Sequence, residues 1–151
     1  MLHVIRHGKA ERDSETGRDF DRPLAARGER QAAWLGSLLA GFSPRPGRVL
    51  TSPAVRTRQT AERIALALHT EPEPAAWLSL ETTLSAAAER VSMLEGPAVL
   101  VGHEPTVSGI IELLVTGSPV RSGLTIRTGE CVSLSQTGPG WTVRRTDRYD
   151  G

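Results

Sequence analysis

Arg6, His7 and Gly8 stand together where the apolar run Leu2-His3-Val4-Ile5 stops. A guanidinium can hold a phosphate oxyanion through a two-pronged fork. An imidazole can serve as nucleophile, base or metal ligand. Glycine lets the backbone turn sharply and approach a ligand closely. Arg56 lies just beyond a second short run, Arg48-Val49-Leu50-Thr51, in the first turn of the helix that should follow, where the positive end of the helix dipole suits an anion. His103 ends a third and more strongly apolar run, Ala98-Val99-Leu100-Val101, just ahead of another helix start. Each of these residues, taken alone, also has an ordinary explanation as a solvated arginine or a hydrogen-bonded or capping histidine. What they share is position. All four lie at or just past the carboxyl ends of candidate strands, where α/β proteins bind ligands.

The intervening segments read as the elements that would hold those strand ends. Residues 11–23 are charged and aperiodic, a surface loop that leaves the Arg6-His7-Gly8 turn and should border any site there. Leu24 to Leu39 reads as a helix with Ala25, Ala32, Ala33, Leu35, Leu38 and Leu39 inward and Arg27, Glu29, Arg30 and Gln31 elsewhere. Gly41 ends it, and Pro44 and Pro46 prevent its continuation. Ser52 is suited to an N-cap and Pro53 to the first position of a helix running to Leu68, with Arg58 on a different face from Arg56. Residues 71–74 read as a connector, 77–81 are ambiguous between classes, and 84–94 are helical. The buried run 98–101 leads through Gly102-His103-Glu104-Pro105 into a helix over 106–114. After Gly117-Ser118-Pro119, short strands are expected at 123–126, 130–134 and 141–143, with a turn at 138–140 and a frayed tail at 146–151. The pattern predicts an antiparallel edge added to a mostly parallel core.

With 151 residues, 38% of them hydrophobic and 23% charged, the chain is sized for one domain over residues 1–151 with a real core. No internal repeat or long linker divides it. The net charge of +1 has no basic or acidic block behind it, which argues against nucleic acid or a membrane surface as partner. No apolar run is long enough to span a bilayer, and no leader is expected ahead of the first strand. Cys131 is the single cysteine, so an internal disulfide and a cysteine-rich zinc site are excluded, and a cytoplasmic location is expected. Cys131 itself should pack inside a strand. The sequence leaves the oligomeric state open.

In their order, Arg6-His7-Gly8-Lys9-Ala10, Asp21-Arg22-Pro23-Leu24 with Arg27-Gly28, Thr51-Ser52-Pro53 with Arg56 and Gln59-Thr60-Ala61, and Val101-Gly102-His103-Glu104-Pro105 resemble the histidine phosphatase superfamily, and within it the small SixA-like phosphohistidine phosphatases. The resemblance spans residues 1 to about 110. It implies a three-layer α/β/α sandwich like that of the phosphoglycerate mutases. It also implies that His7 is the nucleophile, that Arg6 and Arg56 hold the phosphate, that His103 completes the pocket, and that no metal or cofactor takes part. Larger members carry an acidic residue on a lid to protonate the leaving group. Here Glu81 is the nearest match by position, while Glu104 should serve its own turn. Only about 30 residues separate the Arg56 helix from the His103 strand, room for one helix and a connector but not for a lid domain.

The chemistry expected is phosphoryl transfer to neutral His7, stabilised by Arg6, Arg56 and, when protonated, His103, followed by hydrolysis of the phosphohistidine. A phosphorylated protein is the expected partner. Three alternatives stand beside it: a phosphatase or mutase acting on a small phosphorylated metabolite, a non-catalytic phosphate-binding interaction module, and a metal site built on His7 and His103.

Overall fold

The structure, a computed structural model, describes residues 1–118 and 123–151. Pro119, in the break expected after residue 116, lies outside the described residues. Among the described residues, six strands form one sheet: β1 (Leu2–Arg6), β2 (Arg48–Thr51), β3 (Pro72–Pro74), β4 (Ala98–Gly102), β5 (Glu130–Thr137) and β6 (Gly140–Arg148), in the order β3-β2-β4-β1-β5-β6. The contacts β2–β3, β2–β4 and β1–β4 are parallel, while β1–β5 and β5–β6 are antiparallel. The expected parallel core with an antiparallel edge is therefore present. Four α-helices among the described residues cover it: α1 (Ala26–Ala40), α2 (Val55–Leu68), α3 (Leu84–Ser92) and α4 (Thr106–Thr116).

Alternation along the strands divides the core between two faces. Leu2, Val4 and Leu100 point to one face with Val91 of α3 and Ile110 and Ile111 of α4. Ile5, Val99 and Val101 point to the other with Leu35 and Leu39 of α1 and Ile64 and Leu68 of α2. β4 is buried along its whole length, as its unbroken apolar run requires of a strand covered on both sides. The result is the three-layer α/β/α sandwich.

Register fixes the end of the sheet that matters. Arg6 lies opposite Gly102, and Thr51 opposite Val101, so β1, β4 and β2 finish side by side. The chain leaving β1 is then clamped onto α1. Gly8 and Gly28 touch so closely that a Cβ on Gly8 would lie 2.7 Å from the Gly28 carbonyl oxygen, and a Cβ on Gly28 would collide with the Lys9 carbonyl. Ala10 bridges Leu24, closing the neck of the 11–23 loop.

Several local expectations are corrected. Gln31 is buried and Ala33 exposed, because the Gln31 amide supplies hydrogen bonds that the interior needs. Ser52 does not cap α2. The N-cap is Ala54, without a side-chain bond, and the Ser52 hydroxyl turns to His103 instead. Residues 72–74 form a short edge strand, a position that tolerates prolines because their missing N–H faces no partner. Residues 123–126 are not a strand. Their amides at Leu124 and Ile126 donate to the Glu112 and Glu104 carboxylates rather than to a ladder. The tail is less frayed than expected, because Thr146, Asp147 and Arg148 still pair with Val132, Cys131 and Glu130.

At the opposite end of β1, His3 is buried, with Nδ1 2.7 Å from the Ser133 hydroxyl and its ring 5.2 Å from that of Phe42. Burial, helped by the chain's amino group and Arg145, pushes its pKa down to about 4 from 6.5. Between those values the unfolded chain binds the proton and the folded one does not, so stability falls as pH drops from 6.5 towards 4. Replacing His3 by Gln should remove up to one proton's share of that slope, about 1.4 kcal/mol per pH unit. Urea unfolding of both proteins at several pH values across this window measures it.

The Gly8–Gly28 contact makes a second prediction. Gly28→Ala should destabilise by about 1–3 kcal/mol or more, through backbone overpacking. Gly47→Ala, with nothing within 4 Å of the added Cβ, should be close to neutral under the same denaturant titration.

Candidate active site

His7 is the first residue past β1, and its backbone N–H donates to the Gly102 carbonyl at 3.1 Å. Its ring Nδ1 lies 2.7 Å from the Gly8 carbonyl oxygen. A carbonyl only accepts, so Nδ1 carries the hydrogen and the lone pair of the neutral ring is on Nε2. Burial is the largest influence on its pKa and lowers it. The Gly8 bond opposes that effect, while the charges of Arg56, Arg6 and Arg22 add to it, and the result is about 4. His7 is therefore a neutral imidazole at neutral pH, the protonation state a nitrogen nucleophile needs.

The turn carrying His7 is held by side chains from both helices of that face. Thr60 Oγ1 accepts the Gly8 N–H at 3.1 Å, Gln31 Oε1 accepts the Lys9 N–H at 2.8 Å, and Gln59 Oε1 accepts the Leu24 N–H at 2.7 Å. The Gln31 amide donates onward to the Thr128 carbonyl.

His103 follows β4 on the neighbouring strand. The two imidazoles are 5.4 Å apart between centroids and inclined at 62°. His103 Nε2 is 2.8 Å from the Ser52 hydroxyl, and its Nδ1 is buried without a partner among the described residues. Burial first, then Arg56 and His7, depress its pKa to about 3. In this arrangement the ring is held neutral, since burial and the neighbouring Arg56, His7 and Arg6 disfavour another charge. A phosphoryl dianion would reverse that balance.

Arg6 reaches back from the end of β1 and donates through Nη1 to the Ile126 carbonyl at 3.0 Å. Arg56 comes from the first turn of α2 and is 4% exposed. Its Nη1 donates to the Asp19 carbonyl oxygen at 2.8 Å and its Nη2 to Asp19 Oδ2 at 3.1 Å. The Nε atoms of both arginines are buried without partners among the described residues. Buried donors normally find acceptors, so two arginines with unspent N–H groups beside two imidazoles form a site suited to an oxyanion. Arg58, by contrast, is exposed. The four residues singled out from the sequence, Arg6, His7, Arg56 and His103, are brought to one end of the sheet.

Asp19 was not singled out by sequence. It sits on a 3-10 turn (Asp19–Asp21) inside the 11–23 loop, and nothing in the sequence separates it from Asp13 or Glu15. Glu104 does serve its own turn, accepting from the Ser108 N–H and hydroxyl and the Ile126 N–H. Glu81 is exposed and lines, with Asp19, Phe20, Ser52, Arg56 and His103, a cavity of about 370 Å³. Cys131 is buried in β5 and its thiol is pushed up to about 12 by burial, so it supplies no thiolate. Among the described residues, no three His, Cys, Asp or Glu side chains are grouped to hold a metal ion, and no helix is long and apolar enough to cross a membrane.

Comparison with known proteins agrees with this geometry. The chain is 30% identical over 142 residues to an uncharacterized protein of Picosynechococcus, covering 91% of this chain and 81% of that one. Its fold superposes on the protein histidine phosphatase SixA, solved with tungstate, with a TM-score of 0.86, 21% identity and coverage of 97% and 96% of the two chains. It superposes on the α-ribazole phosphatase of Shigella flexneri with a TM-score of 0.74, 18% identity and coverage of 95% and 94%. The family model for the histidine phosphatase superfamily (branch 1) matches residues 2–79, the stretch that carries Arg6, His7 and Arg56. The chain belongs to that superfamily, as a phosphatase on the SixA-like fold.

Proposed function

We propose that the protein removes the phosphoryl group from phosphohistidine on another protein, through a covalent intermediate on His7. The observation that carries the reading is the 2.7 Å contact of His7 Nδ1 with the Gly8 carbonyl. It assigns the hydrogen to Nδ1 and the attacking lone pair to Nε2. In the first step Nε2 bonds to phosphorus while the phosphorus–nitrogen bond of the substrate breaks, its electron pair going to the departing imidazole. His7 then carries the phosphoryl group on Nε2 and a hydrogen on Nδ1, so its ring is cationic, and the Gly8 oxygen stabilises that charge. Arg6 and Arg56 bind the equatorial oxygens, where the transferring group spreads its charge. His103 stands on the neighbouring strand and shares a hydrogen bond with Ser52. Water attacks the phosphohistidine in the second step, releasing phosphate and neutral His7.

Two features support the phosphohistidine substrate. The chain between β3 and β4 contains a 3-10 turn (Ala76–Leu78) and the nine-residue α3, too little to build a lid over the site, so a side chain on another protein can reach it. A departing imidazole leaves neutral when its other nitrogen is protonated, and needs far less help from an acid than an alkoxide does. The similarity to a protein histidine phosphatase points the same way. A second reading, hydrolysis of a small phosphate monoester, draws on the position of Glu81 on the cavity that Arg56 and His103 also line. A carboxylic acid there could protonate an alkoxide. The α-ribazole phosphatase among its structural neighbours fits that reading.

His7→Ala should abolish turnover while the protein stays folded, and the wild type should trap an acid-labile phosphate on His7 with labelled substrate. Arg56→Ala should cost about 2–4 kcal/mol of transition-state stabilisation, by analogy with loss of an oxyanion donor. Arg58→Ala should cost far less. Near-normal activity without His7, or equal losses from the two arginines, would contradict these assignments.

Substrate class is decided by kcat/KM for a phosphohistidine-bearing protein against several alkyl phosphates. The protein substrate should win. An alkyl phosphate turned over ten times better, roughly 1.4 kcal/mol in barrier, would favour the second reading, and loss of that activity in Glu81→Gln would name its acid.

A further inference from the structure

Arg56 is a buried cation. Its side chain is 5% exposed, and the carboxylate paired with it, that of Asp19, is itself 65% exposed. A charge taken out of water needs an opposite charge nearby, and here an exposed loop residue provides it. The same guanidinium is the group that, in the reading above, takes a phosphoryl oxygen. A carboxylate and a phosphoryl group offer an arginine the same kind of planar or forked anionic acceptor, so both cannot use Nη2 fully at once.

We propose that Asp19 is an exchangeable counter-ion for Arg56: its carboxylate holds the guanidinium before a phosphoryl group arrives, yields Nη2 to that group, and by reclaiming it helps to expel the phosphate product. This rests on the reading of Arg56 as a phosphate ligand. The local bonding suits an exchange. The Asp19 backbone carbonyl on Nη1 orients the guanidinium independently of the carboxylate. The other carboxylate oxygen, Oδ1, accepts from Arg22 Nε at 3.0 Å within the same loop, and Arg22 Nη1 is tied to the Glu11 carbonyl at 2.9 Å. The carboxylate can thus leave Arg56 and stay paired with Arg22. It is also the wrong group for proton donation. Burial raises its pKa, but the charges and hydrogen bonds of Arg56 and Arg22 outweigh that and hold it below the usual carboxylate range. Asp19 acts through Arg56 and is a positioning residue.

An internal competitor lowers apparent anion affinity by the fraction of molecules in which it is engaged. Its removal therefore tightens binding, the opposite of what loss of a structural support does. Titration calorimetry with inorganic phosphate tests this on the wild type, Asp19→Asn, Asp19→Ala, Arg56→Ala, and the Asp19→Asn/Arg56→Ala double variant. Both Asp19 variants should bind phosphate at least threefold more tightly. Product inhibition by phosphate should strengthen in the same proportion. The gain should vanish in the Arg56→Ala background, since coupled residues are not additive. Asp21→Asn, two residues along the same loop, should leave phosphate affinity within twofold of wild type. Weaker or unchanged phosphate binding in both Asp19 variants would overturn the proposal, as would an equal gain from Asp21→Asn, which would mean general loop charge. Unchanged phosphate affinity in Arg56→Ala alone would overturn the assignment of Arg56 as a phosphate ligand and the exchange with it.

Discussion

A strand that ends inside a protein leaves backbone amides with no ladder to join, and each must be satisfied or paid for in desolvation. β1 ends in this way at Arg6. The next three amides go to three different places: His7 N–H to the Gly102 carbonyl of β4, Gly8 N–H to the Thr60 hydroxyl of α2, and Lys9 N–H to the Gln31 amide of α1. Each of these bonds fixes one position of the turn against a different element. The turn is therefore referenced to the sheet and to both helices of one face, and His7 inherits its place from them. The near contact of Gly8 with Gly28 belongs to the same device, because side chains as short as threonine and glutamine reach the turn only if it lies directly on the helices.

The electrostatics of the site follow from that placement. Two imidazoles and two guanidiniums are gathered at three adjacent strand ends with little water around them. The arginines cannot discharge, so the histidines do, with pKa values of about 4 and 3. Donors that the fold leaves unspent, the Nε groups of Arg6 and Arg56, are held in place before any reaction, and preorganised donors of this kind act without reorganising in the transition state. Internal pairing is left incomplete there, which leaves donors free for an anion.

Much of this was legible from sequence because its signals are local. Apolar runs interrupted by Arg6-His7-Gly8 and by Gly102-His103 mark strand ends, and Arg56 falls at a fixed offset from Thr51 whatever the tertiary context. What escaped has a common cause. Gln31 reads as surface on a helical wheel, yet it is buried because a turn 22 residues away lacks an acceptor. Ser52 has the sequence of an N-cap, yet its hydroxyl meets a histidine 51 residues on. Residues 123–126 alternate like a strand, but carboxylates from α4 and its entry turn take the amides of Leu124 and Ile126. Asp19 is one of several acids in an aperiodic loop until Arg56 is placed beside it. Periodicity encodes which face a residue shows to the core. It carries no information on which distant polar group needs a partner.

The Gly8 carbonyl joins the two halves of the problem. A nucleophilic histidine must be neutral to attack, and burial beside two arginines secures that. Phosphorylated on Nε2 as the proposed mechanism requires, the same ring would be cationic, and those neighbours would oppose the intermediate. In that mechanism the phosphoryl oxygens would screen the arginines, and the Gly8 oxygen, fixed 2.7 Å from Nδ1, would favour the charged ring. Its effect on the free histidine is already to raise the pKa against burial. A stronger acceptor, such as a carboxylate, would draw a proton onto Nε2 and block attack. No acceptor at all would leave the tautomer unset and the intermediate unsupported. A backbone carbonyl lies between these extremes, and because it belongs to the residue after the proposed nucleophile, the sharp turn that glycine permits would serve the chemistry as well as the fold.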